Sequence, residues 1–244
     1  MSTFFQTLAG YDLYRSECAV IQQNFSYRWL VFQDDACIQT LVHRRHPHKA
    51  VMPYLVPFTL AVRAQPGPVC LLGLGGGAAI HLTASHIPPS LLTAVEASAE
   101  VIALAKQYFW LDTIQALTIV QQEAQTFIAQ TQTNYQHMLI DLYSDTGFPK
   151  TCAAPDFFYQ CKQRLEPHGF LALNLVGIQQ EFHVLQQLKS VFHQASLCIP
   201  VPNSSNMIVL ATHSKSTLLD LVEFCPTLKT LIWDPVFGYM AKFK

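Results

Sequence analysis

The chain has 244 residues, half of them hydrophobic and 13% charged, with a formal net charge of −1. That composition predicts a sizeable buried core and argues against disorder. The absence of a basic excess argues against a nucleic-acid binder. Seven scattered cysteines with no CxxC spacing fit free thiols in a reducing compartment. The first residues lack a basic start and a long apolar run, and no stretch approaches a membrane span. A soluble, cytoplasmic protein is expected.

In chain order, Ala19–Gln23, Tyr27–Gln33 and Cys37–Val42 are rich in β-branched, aromatic and alternating residues and predict strands, with Asp34-Asp35 as a turn. A basic stretch, His43 to Lys49, follows. The segment from Ala50 to Arg63 reads as helical, and Pro66-Gly67-Pro68 breaks the chain. Short apolar runs at Val69–Leu72, Leu91–Val95, Leu117–Val120, His137–Asp141 and Phe170–Leu175 then alternate with helical patterns at Ala78–Ser85, Ala99–Tyr108, Ala124–Gln130, Phe157–Leu165 and Glu181–Val191. Such alternation predicts a parallel sheet with helices on both faces. Pro167-His168-Gly169 reads as a turn. Leu197–Val201 and Met207–Ala211 are separated by only five residues, so they must form an antiparallel hairpin. The stretch from Trp233 to Lys244 carries no clear pattern.

The expected organisation is a small β unit over residues 1–49 and a nucleoside-binding domain over 50–244. The α/β class resembles a Rossmann-like, adenosylmethionine-dependent methyltransferase-type sheet that ends in an antiparallel hairpin.

Four features carry chemistry. In LLGLGGGAA, Gly73, Gly75 and Gly77 follow a strand and precede a helix, where glycine permits a sharp turn and close approach of a ligand. Glycine clusters also make plain turns, so the strand–turn–helix context is what gives the motif weight. Glu96 closes the second parallel strand, about 20 residues beyond the glycines, where a carboxylate can accept from both ribose hydroxyls. Its alternative is a helix N-terminal acid. Glu123, after the third strand, can approach an adenine amino group or simply start a helix. Asp141 ends the fourth strand, and Asp145 follows in DLYSD. A carboxylate beyond a strand end can bind a cation or take a proton; the alternative is loop capping. His43, His46 and His48 alternate with Arg44, Arg45 and Lys49, and those positive charges oppose a bound metal.

Taken together, Gln39-Thr40, GLGGGAA, AVEAS around Glu96, VQQEA around Glu123, IDLYSD around Asp141 and FFYQCKQRLEPHGFLALNL from Phe157 resemble the spermidine synthase, or polyamine aminopropyltransferase, family over residues 27–212. The resemblance implies a β-stranded N-terminal unit, a homodimer, a small-molecule substrate, and neither nucleic acid nor membrane as partner. It implies decarboxylated adenosylmethionine, or adenosylmethionine, as cofactor, held by Gln39, Gly73, Gly75, Gly77, Glu96 and Glu123. Asp141 would help accept the amine proton, and Tyr143 and Asp145 would face the acceptor. The family carries an Asp-Glu pair and a Tyr-His-Glu run after the Gln-Thr, whereas this chain has Arg44-Arg45 and His48-Lys49-Ala50. A dicationic acceptor would meet like charge there. Three functions stay open: aminopropyl transfer, methyl transfer to another and anionic acceptor, and nucleoside binding without catalysis. A nicotinamide dehydrogenase is permitted by the glycines and Glu96 but disfavoured by the terminal hairpin, Glu123 and Asp141.

Overall fold

The structure, a computed structural model, describes residues 8–32, 35–143, 147–225 and 227–243. Two sheets organise them. The first is antiparallel, in the order β1 (Tyr11–Arg15), β2 (Ala19–Gln23), β3 (Tyr27–Phe32), β4 (Asp35–His43). Asp35 thus opens β4 instead of completing a turn with Asp34, which lies outside the described residues. The expected helix at 50–63 is two short ones, α1 (Leu55–Phe58) and α2 (Leu60–Ala64).

The second sheet begins with β5 (Val69–Leu72), β6 (Leu92–Glu96), β7 (Thr118–Gln121) and β8 (Tyr135–Ile140). They alternate with α3 (Ala78–Ala84), α4 (Ala99–Tyr108) and α5 (Ala124–Gln130). After β8 come α6 (Pro155–Gln163), β9 (Leu165–Val176), α7 (Ile178–Phe192), β10 (Ser196–Pro200), β11 (Asn206–Thr212), α8 (Lys215–Phe224), β12 (Leu228–Asp234) and β13 (Gly238–Phe243). The spatial order is β12-β13-β10-β11-β9-β8-β5-β6-β7. From β9 to β7 all neighbours are parallel, while β11 runs antiparallel to both β9 and β10.

The expected α/β class and the hairpin of β10 and β11 are both present. The sheet does not end there, however. The unassigned C-terminal stretch is a second hairpin, with β13 laid parallel to β10. Pro167-His168-Gly169 is not a turn between elements but part of β9. Tyr135 pairs with Leu165 and His137 with Phe170, so the intervening residues bulge out of the ladder.

Burial of both sheet faces follows from strand alternation. Val69 and Leu71 point into the cluster capped by Leu55, Phe58, Ile80, Leu218 and Leu221. Cys70 and Leu72 point into the opposite cluster, covered by Phe127, Phe157, Phe158, Val184 and Leu188. The N-terminal sheet packs on α4: Ala19, Ile21, Leu30 and Val42 close over Leu104 and Phe109. No helix among the described residues is long and apolar enough to cross a membrane.

Candidate active site

Parallel register aligns the strand ends that matter. Leu72 pairs with both Val95 and Ile140, and Glu96 with Gln121. Gly73, Glu96, Glu123 and Asp141 therefore stand in a row along one edge of the sheet, where open α/β sheets bind their ligands. They line a cleft of about 300 Å³, walled on the other side by Phe32, Gln39 and Thr40 of the N-terminal sheet.

The glycine turn has two physical causes. Gly73, Gly75 and Gly77 take φ of +89°, +51° and +77°, which side chains other than glycine's adopt rarely. A Cβ at Gly73 would stand 2.2 Å from the Asp141 carbonyl oxygen, and one at Gly77 would enter the Leu111 side chain. Gly73 and Gly75 line the cleft; Gly77 lies behind it, at the start of α3. Thr40 Oγ1 accepts from Gly76 N at 2.8 Å, so the N-terminal sheet clamps the turn directly.

Glu96 accepts from Leu74 N at 3.1 Å and from Ser98 N at 3.0 Å. Its carboxylate is thereby fixed on the cleft wall. The cap of α4 is Ser98, whose side chain accepts from Val101 N. Glu123 precedes α5 with extended backbone and makes no side-chain cap bond, so capping does not account for its acid; it is exposed and lines the cleft. Gln39 and Tyr143 line it too. Asp145 lies outside the described residues.

Asp141 sits at the end of β8, facing the cleft and otherwise enclosed by protein. Its Oδ2 accepts from the Tyr54 hydroxyl and its Oδ1 from Asn174 Nδ2, both at 2.8 Å. Burial pushes its carboxyl above the ordinary carboxylate value, partly offset by these two donors. Burial, with Asp141 adding to it, pushes the Tyr54 phenol well up. Tyr54 stays a neutral donor, and the pair is a polarised acid–phenol contact in the buried wall of the cleft.

Tyr54 and Asn174 were not singled out from the sequence. Tyr54 is hidden in an apolar segment. Asn174 did leave a signal: it is one amide in the run FLALNLV, inside a strand buried on both faces.

The basic stretch corrects an expectation. Neither Arg44 nor Arg45 lines the cleft. Arg44 Nη1 donates to the carbonyls of Asn24 and Phe25, at 2.9 and 3.2 Å, and the Arg45 guanidinium lies over the Phe25 ring. Both turn toward the β2–β3 connection, where its carbonyls and the exposed Phe25 ring supply their partners. His43 Nδ1 accepts from the N–H groups of Arg45 and His46, capping the turn that follows β4. The two guanidiniums are thus not among the side chains that line the cleft.

No family model matches the chain. A polyamine aminopropyltransferase of Neisseria meningitidis is 25% identical over 182 residues, covering 72% of this chain and 69% of its own. The crystal structure of a probable spermidine synthase from Corynebacterium glutamicum superposes with a TM-score of 0.69 at 14% identity, covering 90% of this chain and 89% of that one. Human methyltransferase-like protein 13, in complex with SAH, superposes with a TM-score of 0.56 at 22% identity over 72% of this chain and 88% of that one. In sequence relationship and in fold, this chain is spermidine synthase-like.

Proposed function

We propose that the chain is a transferase that moves an aminopropyl group from decarboxylated adenosylmethionine to an amine. One observation carries this reading. Among the described residues, the charged side chains lining the cleft are Glu96, Glu123 and Asp141, all acids, with no Lys, Arg or His beside them. A cofactor bearing both a sulfonium and an ammonium, and no carboxylate, is matched by such walls. Adenosylmethionine would bring a carboxylate that finds no side-chain cation.

The residues fit the group. Glu96, already oriented by Leu74 and Ser98, keeps lone pairs for a ribose diol. A Cβ placed on Gly75 would meet Thr40 Oγ1 at 2.9 Å and, among the described residues beyond its chain neighbours, nothing else within 4 Å, so the backbone is open to a close neighbour. Glu123 and Gln39 offer polar groups on facing walls. When bound, the cofactor supplies a methylene made electrophilic by its sulfonium.

Asp141 then has two tasks: it attracts a protonated amine, and it accepts the proton that must leave before the nitrogen lone pair can react. Its raised proton affinity suits it to that transfer better than an ordinary surface carboxylate would be. Tyr54 and Asn174 hold the carboxylate still, so that the amine is oriented rather than merely collected.

The test is calorimetric and then kinetic. Decarboxylated adenosylmethionine should bind at least about tenfold more tightly than adenosylmethionine, and should yield methylthioadenosine with an amine acceptor. Preference for the carboxylated compound, with methyl transfer, would replace this reading by the second one.

A further inference from the structure

Asn174 is an amide in an otherwise apolar strand, flanked by Leu171, Ala172, Leu173 and Leu175, and is 5% exposed. An amide buried there is costly unless both its ends are bonded. Both are. Its Nδ2 donates to Asp141 Oδ1, and its Oδ1 accepts from Asn206 Nδ2 at 2.8 Å. Asn206 Oδ1 in turn accepts from the Ser204 hydroxyl, while Ser204 Oγ accepts from Asn206 N at 3.2 Å.

The direction of this chain is not arbitrary. An ionised carboxylate can only accept, so Asn174 must present its NH₂ to Asp141. That turns its carbonyl toward Asn206, which must donate, and leaves the Asn206 carbonyl for Ser204. Every dipole from Ser204 through Asn206 and Asn174 points its positive end at Asp141. Successive bonds polarise one another in the same sense. The antiparallel register that pairs Ile208 with Asn174 brings the β10–β11 turn to this point.

We propose that Asn206 is a positioning residue that, acting through Asn174, holds the Asp141 carboxylate oriented and ionised and couples it to the β10–β11 turn. Asn206 does not line the cleft, so its action is indirect. The groups that face Asp141 from the packed elements are Tyr54 from the start of α1, Asn174 from β9 and the Gly73 backbone from the β5–α3 turn. Tyr54 is the titratable one among them; Glu96 and Glu123 stand farther along the cleft wall.

The test is a carboxyl ¹³C titration of Asp141 in the full chain, without substrate. Asn206→Leu should move the Asp141 midpoint up by about half a pH unit or more. Asn206→Asp should move it further, because a carboxylate there turns the Asn174 amide around. If either variant fails to fold, Ser204→Ala, at the partly exposed end, should give a smaller upward shift. Folded variants with a lowered melting temperature and an unmoved Asp141 midpoint would overturn the proposal, since that is the signature of a merely structural amide. Because no turnover is read, this result stands or falls separately from aminopropyl transfer.

Discussion

Tyr54 donates its hydroxyl hydrogen to Asp141 Oδ2 across 2.8 Å, joining the residue that precedes α1 to the end of β8, 87 positions later. The bond closes the cleft's acidic corner with a neutral donor. It also lowers the proton affinity of Asp141, against the larger effect of burial.

Removing that donor has a predictable sign. In Tyr54→Phe the carboxylate loses one of its two stabilising bonds, so the Asp141 midpoint rises further. The acidic limb of kcat/KM against pH should shift upward in the variant, by about one unit for a bond to a charged group worth ~1.5 kcal/mol. An unshifted limb would mean that Asp141 is not the group whose ionisation governs turnover.

Asp141→Asn separates chemistry from stability. Turnover should fall by about 10²-fold or more, with adenosyl binding largely kept. The stability effect runs the other way. The folded carboxyl titrates above its unfolded value, so the folded state binds more protons in that window. Wild-type stability therefore falls as pH rises from near 3.8 through the raised value, and the ionised group is a net cost at neutral pH. Urea unfolding at pH 7 should find Asp141→Asn equal to or more stable than wild type.

His137 predicts a loss of stability in acid. It is buried in β8, Nε2 donates to the Gln65 carbonyl at 2.6 Å, and burial pushes its imidazole down to about 4. Between that value and the ordinary 6.5 the unfolded chain binds more protons. Stability should therefore decline as pH falls from 6.5 toward 4, by up to roughly 3 kcal/mol from this residue. Urea midpoints from pH 7 to 4.5 check it: His137→Gln should flatten the slope relative to wild type.

Arg44→Ala tests the correction to the basic stretch. Arg44 binds carbonyls of the β2–β3 turn and stays out of the cleft. The ratio of kcat/KM for a diamine over a monoamine should stay within about twofold of wild type. The variant should instead lose about 1 to 2 kcal/mol of stability from the freed carbonyls. A large gain in diamine preference would show that the guanidinium does reach the acceptor.

Much of this architecture was legible in the chain. β2, β5, α4 and α5 run over the bounds read from periodicity, because buried strands and amphipathic helices announce themselves in local pattern. The five-residue spacing required the β10–β11 hairpin. The row of Gly73, Glu96, Glu123 and Asp141 could be anticipated from strand-end positions alone. β1 and the C-terminal hairpin were not read: their strands are partly exposed, so pairing partners decide their conformation. α8 was overlooked, although Ser214 caps it and Leu218 and Leu221 stand at helical spacing.

What the sequence determined by itself was the α/β class, the strand ends and the acids upon them, since these follow from local periodicity and from chain direction in a parallel sheet. The tertiary structure decided which way side chains turn and whom they meet. Arg44 follows carbonyls that local sequence does not reveal. Asp141 owes its raised proton affinity to burial, which donors from Tyr54 and Asn174, 87 and 33 residues away, partly offset. Long-range hydrogen bonds and desolvation depend on distances that only the packed chain defines.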